Sequence, residues 1–300
     1  MTTNGNISRD TLASLEPLHP TFVGIDSDGC VFDSMEIKQK QCFHPVIIAH
    51  WHLEAIEREL REVAEFVNLY SKWRGQNRFL CLVRTFSFLR SHPGVQAAGT
   101  EVPLLKSTQR MIDSGKPLSN DTLAIEAETS GDAELQSLLA WSLEVNAQIE
   151  RVVKNVPPFE WARKCLDLFP LQSDTVCVSQ TPTEALEREW AENGITSLVR
   201  MIAGQELGTK AEHLEMATTG KYDPHKVLMI GDAPGDRKAA DAVKACFYPI
   251  NPGDEETSWR LLHDEAYARF LAGAYAGDYE AALIEDFESR LPEIPPWQDC

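Results

Sequence analysis

Five short apolar runs dense in β-formers, at residues 22–25, 175–178, 198–202, 227–230 and 246–249, restrict this chain to an α/β layer architecture. Three of them lead straight into helix-patterned stretches, at 183–192, 210–217 and 237–244. Strand then helix in that rhythm builds a parallel sheet, because a parallel neighbour needs a crossover long enough to hold a helix. The first run stands apart. A segment from 35 to 168 with mostly helical apolar spacing separates it from the second. This predicts a Rossmann-like parallel-sheet core built from 1–34 and 169–300, with helices on both faces, and an inserted, mainly helical domain over 35–168. Within the insertion, helices are expected over 36–70, 79–90 and 133–154, with an interruption near Gly75 and stops at His92-Pro93-Gly94 and Pro157-Pro158. Residues 114–132, rich in Ser, Gly, Asp and Thr, read as a loop or linker, and the last strand leads to helical stretches around 256–289 and a Pro-rich end.

Chemistry collects where the apolar runs stop. Asp26 and Asp28 emerge together after Phe22-Val23-Gly24-Ile25, and Gly29 lets the backbone turn sharply. Paired carboxylates divide labour, one attacking as a nucleophile and the other moving protons, provided a cation shields their repulsion. Ser179 and Gln180 follow the second run. The next residues, Thr181-Pro182-Thr183-Glu184, have capping-box spacing with Pro at the first helical position, which sets Ser179 at a helix amino terminus suited to a phosphate. A plain turn serine fits the same place. Thr209-Lys210-Ala211-Glu212 repeats the capping-box pattern and puts Lys210 on a first turn, where the macrodipole disfavours a cation and something anionic should compensate; a solvated surface lysine is the ordinary alternative. In Gly231-Asp232-Ala233-Pro234-Gly235-Asp236, Asp232 leaves a strand end and Asp236 meets a helix start, either as a second oxygen donor or as a simple N-cap. Hard oxygen donors of this kind suit Mg²⁺, and ligands in open parallel sheets gather at the carboxyl ends of strands, where all four stretches lie.

Charge narrows the partners. The 28 basic residues against 46 acidic ones give 28 − 46 = −18, a balance that repels nucleic acid and anionic membranes. The start, Met-Thr-Thr-Asn-Gly-Asn, lacks the plan of a signal peptide, and no apolar run is long enough to cross a bilayer. Seven cysteines (30, 42, 81, 165, 177, 246 and 300) include no Cys-x-x-Cys pair, which suits a reduced compartment. A cytoplasmic location is expected, with no nucleic-acid or membrane partner. Cys30, beside the acid pair, is expected to be a packing residue.

Taken in order, Asp26-Ser27-Asp28-Gly29-Cys30-Val31-Phe32-Asp33-Ser34, Ser179, Lys210 and Gly231-Asp232-x-x-x-Asp236 resemble the four motifs of the haloacid dehalogenase-like hydrolase superfamily. The resemblance covers the first strand and about residues 170–250. It implies that Asp26 attacks phosphorus to form an aspartyl phosphate, and that Asp28 protonates the leaving oxygen and then activates water. It implies that Ser179, Gln180 and Lys210 bind the phosphoryl oxygens, and that Mg²⁺ is held by Asp26, the backbone carbonyl of Asp28 and Asp232, with Asp236 as a further ligand or an orienting partner. Cys30 stands where the family usually has Thr or Val. Family dehalogenases lack the second acid of the first motif, and pumps of the family carry Lys and Thr there, so the resemblance points to a phosphatase acting on a small phosphorylated metabolite. A phosphomutase, or a non-catalytic binding or regulatory protein that keeps the site, are the alternatives. The resemblance also makes 35–168 a cap of the kind inserted between the first and second motifs.

Two features of the insertion invite functional readings. Between Glu65 and Glu101 there is no acid but there are Lys72, Arg74, Arg78, Arg84 and Arg90, an island that could steer an anionic substrate or simply form solvated helix faces. His44, His50 and His52 lie near Trp51, but positions 50 and 52 face apart on a helix and no cysteine has ligand spacing, so ordinary helix histidines are expected rather than a transition-metal site.

Overall fold

A computed structural model of the chain describes residues 8–298; the amino-terminal stretch read for a leader and Cys300 lie outside the described residues. Two compact units form, one from the chain up to Ser34 together with Asn155–Arg290, the other from Met35–Lys154 together with the residues from Leu291 on.

The first unit is built on a five-stranded, all-parallel sheet of order β3-β2-β1-β4-β5, with β1 at Phe22–Ile25, β2 at Asp174–Val178, β3 at Met201–Ala203, β4 at Val227–Gly231 and β5 at Cys246–Pro249. Every residue of these strands is buried, as the continuous apolar runs required of a sheet covered on both faces. The order starts at the centre with β1, moves outward through β2 and β3, then jumps back across to β4. With right-handed crossovers, helices Glu160–Leu168 and Thr183–Glu192 cover one face and helices Lys210–Thr218 and Pro234–Ala242 the other. The reversal beside β1 is the topological switch point where such sheets leave a crevice. Residues after β5 form helices Glu255–Leu261 and Asp278–Ser289, tied to the last strand by Tyr275 Oη donating to Phe247 O at 2.6 Å and Tyr248 Oη to Ser258 O at 2.6 Å.

Several expected boundaries move: the segment read as an insertion over 35–168 ends at Lys154, with Glu160–Leu168 in the first unit, and the residues from Leu291 on join the second unit instead of the 169–300 core. The third strand begins at Met201 rather than 198, because Thr196–Leu198 closes a 3₁₀ turn after the preceding helix. The fourth helix begins at Pro234, not 237, since proline at the first helical position lacks only an N–H that would have no partner there.

The second unit is helical. The long helix expected over 36–70 is broken into Ser34–Ile37, a π-helical segment Lys38–Phe43, His44–Trp51 and Glu57–Leu69, and His52 ends the third piece in the left-handed conformation at φ 54°. Helices Arg78–Ser91 and Ala133–Val152 form as the spacing indicated. The stretch 114–132 is not wholly a loop: Asn120–Ser130 is a helix, started by the Ser119 hydroxyl accepting from Thr122 N at 3.2 Å and stopped by Gly131 at φ 64°. Its small polar residues are capping chemistry, and Leu123 and Ala127 supply a short apolar stripe that is buried. At the centre of this unit Trp51 packs edge-on against Phe86 at 5.0 Å and lies 5.6 Å from Trp141, and Trp297 from the Pro-rich end meets Phe66 at 5.4 Å. No helix among the described residues is long and apolar enough to cross a membrane.

Candidate active site

Register brings the motifs to one row. Ile25 pairs with Cys177 of β2 and with Ile230 of β4, and Val178 pairs with Ala203 of β3. Two positions past Ile25, Cys177 and Ile230, and one past Ala203, Ser27, Ser179, Asp232 and Gly204 therefore leave their strands side by side. Asp26 N still donates to Ile230 O at 3.0 Å, so the backbone of the first acid is held by the sheet itself. Gly29 takes φ 77°, the turn that frees the chain from the strand direction.

Lys210 occupies the first turn of its helix as the capping box dictated: Thr209 Oγ1 accepts from Glu212 N, and the Glu212 carboxylate accepts from Thr209 N. The anion that this cation needed is supplied twice. Its ammonium lies 2.7 Å from Asp26 Oδ2 and 2.6 Å from Asp236 Oδ1. Asp26 Oδ1 in turn accepts from Ser27 N at 2.8 Å. Asp236 sits at the third position of its helix rather than at the N-cap, and reaches back to accept from Ala233 N at 3.0 Å. Gly231 makes that possible, since a Cβ there would lie 2.3–2.4 Å from the Asp236 side chain.

One carboxylate oxygen from each of Asp26, Asp232 and Asp236 lies within 4.8 Å of the others, and all three residues are buried. Burial pushes Asp26 up to about 6, against the pull of Lys210 and with the push of Asp236. Asp236 is raised in the same way, by burial and by Asp232 against Lys210. Burial works to neutralise Lys210, but the carboxylates of Asp236 and Asp26 prevail and hold it above the ordinary lysine range. Three clustered buried acids beside a single ammonium leave a net negative charge that a divalent cation with hard oxygen preference would neutralise, so the donor set fits Mg²⁺.

Asp28 is set apart from that cluster. Ser34 Oγ donates to its Oδ1, and Thr181 Oγ1 donates to its Oδ2 at 2.6 Å. Ser179 is buried; its backbone N–H donates to Ala203 O at 2.9 Å and its hydroxyl oxygen accepts from Thr181 N at 3.3 Å. Gln180 is exposed, and its amide nitrogen donates to Gly208 O at 2.9 Å. The site residues read from the sequence thus fall into two linked groups, Asp26, Lys210, Asp232 and Asp236 in one, and Asp28 joined through Thr181 to Ser179 in the other.

Sequence reading missed Thr181. Its spacing to Glu184 suggested a capping box, but no side chain caps that helix at Pro182; the Thr181 hydroxyl goes to the stronger acceptor, the Asp28 carboxylate, and Glu206 instead accepts from Thr183 N at 3.0 Å. It also missed Trp190, whose indole donates to Ser27 Oγ at 3.0 Å beneath the site. A hydroxyl beside a phosphate-type turn serine was the available signal for the first; nothing local marks the second. Cys30 is buried among packed side chains, and burial, with the nearby acids Asp232 and Asp26, raises its thiol well above the ordinary range, away from nucleophilic use.

In the second unit the basic island is engaged by its own surroundings. Arg74 is buried and donates to Leu69 O, Arg78 to Ser142 and Asn146, and Arg90 to Pro103 O; Arg84 lies over the Trp73 ring at 4.8 Å and Lys72 pairs with Glu293. The histidines do not converge either. His44 is fully buried, His50 bonds Ser137 Oγ at 2.8 Å, and among the described residues the acidic trio is the one cluster of possible metal ligands.

No family model matches the chain, and no curated protein matches it. Solved structures similar to it include a predicted phosphoglycolate phosphatase from Haemophilus somnus 129pt, with 12% identity over 78% of this chain and 86% of that one at a TM-score of 0.46. A haloacid dehalogenase-like hydrolase from Bacillus subtilis bound to magnesium has 13% identity over 79% and 92% at 0.43, and the L-2-haloacid dehalogenase of Xanthobacter autotrophicus 15% over 84% and 86% at 0.39.

Proposed function

We propose that this protein is a Mg²⁺-dependent phosphate-monoester hydrolase working through an aspartyl phosphate on Asp26. The observation that carries the reading is the contact of one buried ammonium, Lys210, with both Asp26 and Asp236, beside Asp232 and one loop away from a separately anchored second acid, Asp28. A bound Mg²⁺, held by Asp26, Asp232 and Asp236 with the Asp28 carbonyl, would supply charge neutralisation for the acids and for the transferring phosphoryl group. Asp26 Oδ2 bonds to phosphorus as the ester P–O bond breaks, and Asp28 gives its proton to the departing alkoxide. Asp28, now a carboxylate, takes a proton from water; the water oxygen bonds to phosphorus and the Asp26–phosphorus bond breaks, releasing inorganic phosphate. Lys210 and the Ser179 hydroxyl hold the phosphoryl oxygens, and Ser27 N–H keeps the nucleophile turned.

The second acid favours a phosphoester over a haloacid. Halide leaves as a stable anion and needs no proton, whereas an alkoxide does, so an acid held beside the nucleophile has a use only in the first chemistry. Phosphate release from a panel of phosphoesters, assayed with Mg²⁺ and with excess chelator, tests the proposal. Turnover should vanish on chelation and in Asp26→Asn. Turnover surviving in Asp26→Asn, or no turnover across the panel with Mg²⁺ present, would overturn it; an isomeric phosphate ester in place of free phosphate would make the protein a mutase.

A further inference from the structure

We infer that Thr181 is the positioning residue for the acid step, aiming the Asp28 carboxyl at the leaving oxygen; the inference rests on the phosphatase reading of the site. Asp28 lies in the loop after β1, where its backbone bridges to Phe32, and its carboxyl is gripped by two hydroxyls, Ser34 at Oδ1 and Thr181 at Oδ2, the latter reaching in from the loop after β2. The Thr181 hydroxyl donates to Asp28 Oδ2 at 2.6 Å, a sense that holds while that oxygen carries no proton, so the acid's proton sits on the other oxygen. A β-branched residue has few χ1 options, so the hydroxyl is held in direction as well as in reach.

The segment that carries Thr181 is itself pinned on two sides. Thr181 N donates to Ser179 Oγ at 3.3 Å, and Thr181 O accepts from Gln205 N at 3.1 Å, joining the loops after β2 and β3. Gly204 lets those loops meet, since a Cβ there would stand 2.8 Å from Thr181 O and 2.6 Å from Thr183 N. The contact has a second consequence. Because Ser179 Oγ accepts from Thr181 N, its own proton is directed elsewhere, toward the phosphoryl oxygen it is proposed to bind. One threonine thus orients the acid through its side chain and the phosphate-binding hydroxyl through its backbone. Valine at 181 removes the first role and keeps the second; serine keeps both.

The chemistry gives the inference a signature that a merely structural role would lack. A positioned acid matters in proportion to the basicity of the leaving oxygen, so its loss should be felt by phenyl phosphate and largely escape p-nitrophenyl phosphate. Measured as kcat/KM, which reports the phosphorylation half alone, Thr181→Val should fall roughly 10- to 100-fold on phenyl phosphate, the range of a charge-assisted hydrogen bond, and less than about threefold on p-nitrophenyl phosphate. Thr181→Ser should recover the phenyl phosphate rate to within about threefold. Equal losses on both substrates, or no loss on either, would overturn the inference while leaving the phosphatase reading intact. Failure of the unsubstituted protein to hydrolyse either ester with Mg²⁺ would instead remove the reading beneath it.

Discussion

Replacing Lys210 by Met tests whether the ammonium is what permits three buried acids to share one site. Methionine keeps the length of the stem and removes the charge. Two contacts of 2.6 and 2.7 Å are lost, and Asp26, Asp232 and Asp236 remain buried with no cation among them. Breaking a buried ion pair from one side costs about 3–5 kcal/mol. Protonation sets an independent ceiling. A carboxyl whose unfolded pKa is 3.8 needs about 1.36 × (7.5 − 3.8), or roughly 5 kcal/mol, to stay protonated at pH 7.5, so the variant relieves the repulsion by taking up a proton once the penalty exceeds that. Both routes give a loss of about 3–5 kcal/mol at pH 7.5. The sign with pH follows: an acid whose folded pKa is raised binds more protons folded than unfolded, so stability falls as pH rises, and the deficit should shrink to about 3 kcal/mol at pH 6. Hydrogen exchange of the β1 and β4 amides in excess chelator, at both pH values, reads the first unit directly. Adding Mg²⁺ should then protect the variant more than the parent, because the dication no longer competes with the ammonium. Equal protection of parent and variant in chelator at pH 7.5 would refute the charge argument.

Other expectations follow from single contacts. Gly231→Ala should destabilise the first unit by at least ~1–3 kcal/mol and abolish Mg²⁺-dependent phosphate release, since its Cβ would overlap Asp236; retention of Mg²⁺ binding by calorimetry would count against the close approach. His44 is fully buried, and burial, helped by Arg61 and Lys40, lowers it to about 3. The unfolded chain therefore binds a proton that the folded one does not, and stability contributed by neutral His44 is present above pH 6.5 and lost as pH falls, by about 2 kcal/mol between pH 7 and pH 5. His44→Leu should flatten that part of the pH dependence in the helical unit, and an unchanged slope would show that the imidazole is not the source. Ser119→Ala should cost about 1 kcal/mol and raise amide exchange across Asn120–Ser130; no change would mean the hydroxyl is not the cap.

The acid pair at a strand end, the capped lysine and the alternation of apolar run and helix were legible in the sequence because each depends on neighbours within about four positions. Burial of continuous apolar runs follows from the same local pattern, as does the Thr209 to Glu212 capping box that seats Lys210. At the site, local reading misled where a distant group outbid a near one. Thr181 left its helix cap for a carboxylate 153 residues away, and Trp190 found Ser27 across 163 positions. The basic island in the second unit shows the same effect in reverse: composition marks the charges, but the carbonyls, hydroxyls and rings that absorb them come from other helices. Sequence by itself determined the five strands, the helices that follow β2, β3 and β4 and the acids and lysine standing at their ends, because backbone sterics, capping and periodicity are local. Only the tertiary structure decided that Asp26 and Asp236 share one ammonium with Asp232 beside them and that Asp28 is held from the loop after β2, because strand register and crossover handedness alone bring those ends into one row.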